Sequence, residues 1–244
     1  MAADSLLAEQ AVERGTLLLR IYGWQSSTLS LGAFQPLEEA VASIAVGSLP
    51  RVRRPSGGGA IVHGTDLTYA AAVPKTHPWG TTPQQLYDAL HGAMVEVLRE
   101  RGVDCRLWRP GGSPSADDSE ESLLCFDRRS SGDVVIGQAA EGRGQKLMGS
   151  AQRRLQAAVL QHGSLLLRRN PDLALAGSHP GLADLSGSAV GLKPAEIVER
   201  WLEKLAARLG ASLKSEPARD PALLRKACGD LTERFLDPRW TARR

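Results

Sequence analysis

Four short stretches of this sequence hold residue types that can do chemistry. They are Arg53-Arg54-Pro55-Ser56-Gly57-Gly58-Gly59, Cys125-Phe126-Asp127, Lys146 followed by Gly149-Ser150-Ala151, and His162-Gly163-Ser164. The glycine run is not a P-loop, because no Gly-Lys-Ser/Thr follows it, and it is not a GxGxxG turn. It has two readings: bare backbone whose N–H groups meet a substrate, or a tight turn between solvated arginines. Lys146 stands at the start of an apolar run, where its charge can face a thioester or phosphate oxygen, or simply water. Taken alone, His162 reads as a structural histidine and Cys125 as a small core residue.

The elements that must position these residues follow from periodicity and breakers. Asp4 to Arg14 reads as a helix, and Thr16–Tyr22 and Thr28–Leu31 as strands. Ile44 to Leu49 is weakly patterned. Ala60–Val62 and Leu67–Val73 read as two strands joined by a turn over residues 63–66. Thr82-Pro83 is a helix start, with Leu86, Leu90, Val97 and Leu98 at helical spacing and Gly102 as its end. Val103–Trp108, Asp133–Gln138, Gln145–Met148 and Val159–Leu167 read as further strands, the middle two as a hairpin turning on Glu141–Gly144. Arg109 to Glu121 is an acidic Gly/Pro/Ser-rich loop, or a flap over the Leu123–Asp127 segment. After Pro194, the stripe Ile197, Val198, Trp201, Leu202, Leu205 and Leu209 predicts a packed helix, and the tail predicts one more. Short turns between most strands predict a mixed α/β (α+β) fold with a largely antiparallel sheet and packed helices. A single domain over residues 1–244 is expected, helical from about residue 190 onward.

Totals narrow the function. Of 244 residues, 42% are hydrophobic and 23% charged, as in globular proteins. Aromatics at 5% and a net charge of +3 are not the signature of a nucleic-acid binder. Three cysteines without a CxxC pair suggest neither a disulfide framework nor structural zinc, and no metal ligands are assigned. The N-terminus lacks the apolar core of a signal peptide and no stretch is long and apolar enough to span a bilayer. The expected place is the cytoplasm, where a thiol stays free to react.

Taken together and in order, the stretches RRPSGGGAIVH, CFD, KLMGSAQRR and VLQHGSLLL, with RIYGWQSSTLSLGAFQ upstream and DLTYAAAVP after the glycine loop, resemble the lipoate–protein ligase and octanoyltransferase (BPL/LPL catalytic domain) superfamily. The resemblance runs from near Met1 to about Arg168, with a weaker match around Asp237-Pro238-Arg239-Trp240. Within it, the Cys-Phe-Asp motif upstream of the lysine strand is similar to the LipM-type octanoyltransferases. The other octanoyltransferase branch carries its cysteine after the His-Gly strand, where this chain has none.

The resemblance implies an acyltransferase that takes octanoyl from octanoyl-acyl carrier protein through an acyl-cysteine and passes it to a lysine of lipoyl-domain proteins. Such acceptors include the glycine cleavage H protein and 2-oxoacid dehydrogenase E2 subunits. Cys125 and Lys146 fall on the catalytic positions. Arg53, Arg54, Ser56, Gly57, Gly58, Gly59, His63, Gly149, Ser150, Ala151, His162 and Gly163 fall on the substrate-binding ones, with His162 also open to a structural reading. No cofactor is expected; ATP and magnesium enter only if the chain is a lipoate ligase, which the short stretch after Arg168 disfavours. No nucleic-acid or membrane partner is expected, and a monomer is. Rival readings are an amidotransferase between lipoyl proteins, an ATP-dependent lipoate ligase and a non-catalytic binder of acyl carriers. A covalent step suits the transfer because each half then has a good nucleophile, and a nearby ammonium favours the thiolate of a thiol whose ordinary pKa is about 8.5.

Overall fold

The computed structural model of the chain describes residues 1–44, 49–110, 124–137, 144–173, 179–217 and 220–242. Along the chain run α1 (Ala2–Arg14), β1 (Leu18–Tyr22), β2 (Thr28–Leu31), α2 (Leu37–Ile44), β3 (Arg51–Arg53), β4 (Ile61–His63), β5 (Asp66–Pro74), α3 (Pro78–Thr81), α4 (Pro83–Glu100), β6 (Cys105–Leu107) and β7 (Val134–Ile136). They are followed by β8 (Gln145–Arg154), β9 (Ala158–Leu166), α5 (Leu182–Leu185), α6 (Pro194–Leu209), α7 (Pro221–Cys228), α8 (Asp230–Leu236) and α9 (Pro238–Ala242).

Two sheets result. A six-stranded antiparallel sheet has the order β1-β5-β9-β8-β7-β6. A smaller sheet has the order β3-β2-β4, with β2 parallel to β3 and antiparallel to β4. The expected mixed, largely antiparallel fold is therefore present. Alternation along β5 shows how the large sheet is sandwiched. Tyr69, Ala71 and Val73 pack with Leu86, Leu90, Met94 and Trp201 of α4 and α6. Ala70 and Ala72 point the other way, against Ala8 and Ala11 of α1. The small residues let α1 lie close to the strands. The α6 stripe is core as expected: Ile197, Trp201 and Leu205 are buried, and the Trp201 indole N–H donates to the Leu90 carbonyl at 2.8 Å.

Four readings change. The strands on either side of residues 63–66 form no hairpin: β4 pairs in the small sheet and β5 in the large one, so the link crosses between layers. The apolar runs were legible, but not which sheet each would join. The helix α2 was not expected, its periodicity being only two turns long. The lysine strand does not stop at Met148 but runs on to Arg154, where polar side chains hid the period. The tail holds α7, α8 and α9 rather than one helix, broken at Gly229 and before Pro238. Most of the acidic loop and residues 141–143 of the expected hairpin turn lie outside the described residues. No helix among the described residues is long and apolar enough to cross a membrane.

The end of the chain is tied to the glycine loop's own strand. The Trp240 indole N–H donates to the Arg53 carbonyl at 2.9 Å, and Arg53 Nε donates to the Thr241 carbonyl at 3.0 Å. The Trp240 ring meets Phe235 edge-on at 5.1 Å. Trp240→Ala removes that buried ring and leaves β3 without its cover. The expected loss is about 3 kcal/mol, read as a lower denaturant midpoint at unchanged m-value.

Candidate functional site

Cys125 is placed by backbone contacts. Leu124 bridges to Ala60 in the parallel sense, and the Cys125 N–H donates to the Ala60 carbonyl at 2.8 Å. A Cβ on Gly59 would lie 2.6 Å from Cys125 N and 2.8 Å from Leu124 C. The third glycine is thus the bare surface on which the cysteine segment rests. Phe126 is buried with Ile61 and Leu166 and anchors the turn over residues 125–127. With the phenylalanine turned inward, Cys125 stays partly exposed.

It opens into a pocket between the two sheets, enclosing about 440 Å³ of empty space with its mouth included. The small sheet and its loops contribute Ser30, Arg54, Ile61 and His63. The large sheet contributes Tyr22, Thr68, Gly149, Ser150, Ala151, His162, Gly163 and Ser164. The other two cysteines are buried away from this pocket, and burial pushes the Cys105 thiol up to about 11.

Lys146 sits beneath the cysteine turn. Its ammonium donates to the carbonyls of Cys125 (3.2 Å) and Arg128 (3.0 Å) and pairs with Asp133 Oδ2 at 2.8 Å. All three protons are engaged, and the charge is met by a carboxylate. The pairing of β7 with β8 slips between Val134 and Val135, a bulge beside the lysine. The lysine stem then lies over Gly149, where a Cβ would stand 2.3 Å from its Cε. The Lys-Leu-Met-Gly spacing is needed for that crossing.

Asp133 opens a buried polar chain. Its Oδ1 accepts from Tyr87 Oη at 2.5 Å, and Tyr87 Oη accepts from the Ser150 N–H at 3.1 Å. His91 Nδ1 lies 2.8 Å from the Gly132 carbonyl, which fixes the proton on Nδ1. Nε2 therefore accepts from Ser150 Oγ at 2.6 Å. Ser150 Oγ in turn accepts from Tyr69 Oη at 2.6 Å, and Tyr69 Oη from Gln161 Nε2 at 2.6 Å. Gly163 has no Cβ, and one there would strike both Ser150 Oγ and the Tyr69 ring.

A second group surrounds His63. Its Nδ1 lies 2.8 Å from Asp66 Oδ2, and its ring stacks on Trp24 with centroids 4.2 Å apart. Asp66 also accepts from the Gly64 N–H, Thr68 and Ser164. Although burial opposes its charge, His63 and these donors hold its carboxyl down at about 2. With Nδ1 committed to the carboxylate, Nε2 is the ring nitrogen of the pocket-lining His63 left to meet a substrate. His162 is different. Ser56 Oγ bonds its Nε2, and its Nδ1 stands 4.0 Å from the Asp4 carboxylate, beyond hydrogen-bond reach. Burial lowers both His162 and His91 to about 4.

Seven of the expected site residues therefore face one pocket with Cys125: Arg54, His63, Gly149, Ser150, Ala151, His162 and Gly163. Lys146 touches the cysteine turn from below. Arg53 points away, to the carbonyls of Gly32 and Gln35 at 2.7 Å each and to the C-terminal helix. Ser56 and the three glycines do not line the pocket; the carbonyls of Gly57 and Gly59 hold Arg54. Sequence reasoning missed Tyr87, His91, Asp133, Tyr69 and Asp66. A signal existed for one pair: Tyr87 and His91 are four apart on an apolar helix face, so both meet the sheet.

The buried neutral histidines predict an acid-sensitive fold. Their folded values of about 4 lie below an ordinary 6.5, so the unfolded chain binds more protons between these limits. Their penalty is absent above pH 6.5 and grows as the pH falls to about 4. Chemical denaturation across that range is expected to show stability falling with uptake of up to about two protons, and His91→Gln to remove about one.

Comparison with known proteins bears on the family and the fold. The family model of the lipoyl protein ligase A/B catalytic domain matches residues 1–178. Octanoyltransferase LipM of Kyrpidia tusciae is 33% identical over all of this chain and 95% of its own length. Octanoyltransferase LipM of Bacillus subtilis is 34% identical over 70% of this chain and 62% of its own length, so some relatives are spanned only in part. Among solved structures, lipoate-protein ligase A bound with ATP superposes with a TM-score of 0.67 at 18% identity, covering 99% of this chain and 94% of that one. Protein Ta0514 of T. acidophilum, solved with bound lipoic acid, superposes with a TM-score of 0.68 at 19% identity, covering 99% and 94%. At that identity the two structures speak for the fold. The chain belongs to the lipoyl protein ligase A/B catalytic domain family, with homology to the bacterial LipM-type octanoyltransferases.

Proposed function

We propose that this protein moves octanoyl from octanoyl-acyl carrier protein to the ε-amine of a lysine on a lipoyl-domain protein, through a thioester on Cys125. The observation that carries the reading is that Cys125, of three cysteines, is the one facing the pocket, in a turn fixed by Ala60, Gly59 and Phe126. Its relatives named octanoyltransferases supply the acyl group.

The Cys125 thiolate attacks the carrier thioester carbonyl, the carbonyl–carrier sulfur bond breaks, and the carrier sulfur leaves as a thiolate that takes a proton from water. The acceptor amine then attacks the octanoyl-cysteine, an amide forms, and the Cys125 thiolate is released. His63 Nε2, oriented through Asp66, takes the proton that the attacking amine loses. Lys146 clamps the turn through the Cys125 carbonyl and adds positive charge beneath it. The apolar acyl chain lies in the pocket, each buried CH₂ contributing about 0.8 kcal/mol.

Intact mass after incubation with octanoyl-acyl carrier protein, without ATP, tests this. Wild type should gain one octanoyl group, labile to hydroxylamine, and Cys125→Ala none. No adduct on folded wild type would overturn the mechanism and direct attention to ATP with free lipoate. An adduct arising from an octanoylated lipoyl protein but not from the carrier would instead mark an amidotransferase. In the folded enzyme, Asp66→Asn should leave adduct formation largely intact but slow its discharge to the acceptor about 10²-fold or more, as measured by single turnover.

A further inference from the structure

Arg54 is a buried cation with no carboxylate beside it among the described residues. It is 5% exposed. Its guanidinium donates to the carbonyls of Ser30 (3.0 Å), Gly57 (2.9 Å) and Gly59 (2.6 Å), with the Ser30 hydroxyl at 3.4 Å. All of these are neutral. Two buried charges near the site are matched: Lys146 by Asp133, and Asp4 by Arg20 at 3.0 Å. Among the described residues, no carboxylate stands within ion-pair distance of Arg54. A buried charge without a counter-charge is costly, and proteins seldom retain one without use.

Its surroundings indicate the use. Arg54 lines the same pocket as Cys125. Through its bond to the Gly59 carbonyl it holds the stretch of backbone on which Cys125 packs. Burial lowers the guanidinium from its ordinary value, and a negative sulfur on Cys125 acts against that shift. The attraction is mutual: a cation stabilised by a thiolate stabilises that thiolate. Lys146, with all three protons engaged and a carboxylate at 2.8 Å, has less field to offer.

We propose that Arg54 is the counter-charge of the Cys125 thiolate, holding the sulfur ionised in the resting protein and stabilising it again as it leaves the acyl-enzyme. Between those moments the neutral thioester leaves the guanidinium uncompensated, which favours return of negative charge to the sulfur. This role in turnover rests on the acyl-cysteine reading; the resting thiolate does not, and is measured without substrate.

The experiment is the pH dependence of iodoacetamide alkylation at Cys125, followed by peptide mass, in the full chain. Wild type should inflect below the ordinary thiol value of about 8.5. Arg54→Gln should raise the inflection by one unit or more, about tenfold slower alkylation at pH 7, and Arg54→Lys should recover part of it. An inflection at 8.5 in wild type, or an unchanged one in folded Arg54→Gln, overturns the proposal. Because Arg54→Gln can also fail to fold, a second pair leaves Arg54 in place. Cys125→Asp should melt higher than Cys125→Asn at pH 7, with the difference vanishing in acid; an Asp variant no more stable than Asn overturns the proposal. A lowered inflection with no octanoyl adduct would leave Arg54's role standing and sink the acyl-transfer reading instead. A normal inflection with an adduct would do the reverse.

Discussion

The contact between bare glycine backbone and the cysteine segment is the constraint on which the site depends. Cys125 belongs to neither sheet. It is carried to the pocket because the Leu124–Cys125 backbone lies on Gly59 at distances no side chain would allow, and because Ala60 accepts its N–H. The surrounding order serves that junction. Arg54 holds the Gly57 and Gly59 carbonyls from inside, Phe126 plugs the turn into the core, and Lys146 holds the Cys125 carbonyl from below. A loop this rich in glycine loses much entropy on ordering, and a buried guanidinium bonded to its carbonyls offsets part of that cost.

The buried polar residues divide into two groups. The chain from Lys146 through Asp133, Tyr87, Ser150, Tyr69 and Gln161 has matched donors and acceptors, which suits a rigid floor. The groups facing the pocket are not all matched in this way. Among the described residues, Arg54 has no carboxylate partner and His162 Nδ1 no hydrogen bond. His63 is tied on one nitrogen only among the described residues. Groups left short of partners are where a substrate, or a charge that comes and goes during reaction, can supply what is missing. The division suggests that the fold spends its polar side chains in two ways: some fix the backbone of β8 against α4, and others wait at the cavity between the sheets.

Most of the elements and the motif set were legible in the sequence. Apolar alternation marked β5 and β9, the Thr82-Pro83 start and the Gly102 end framed α4, and the stripe through Trp201 marked α6; these signals are local, so they survive without tertiary context. Cys125, Lys146 and the Arg53–Gly59 run were found as motifs, and the family follows from their order. What tertiary structure decided is which of them meet, and in what electrical state. Arg53 and Arg54 are neighbours with the same chemistry, yet one ties down the C-terminal helix and the other enters the pocket, because successive residues of an extended chain point to opposite sides. The partners Asp133 and Asp66 were invisible because an acidic residue shows its role only when a distant cation or imidazole is folded against it. The β4–β5 link crosses between sheets for the same reason: pairing is a contact between remote strands, and no period within either strand encodes its neighbour.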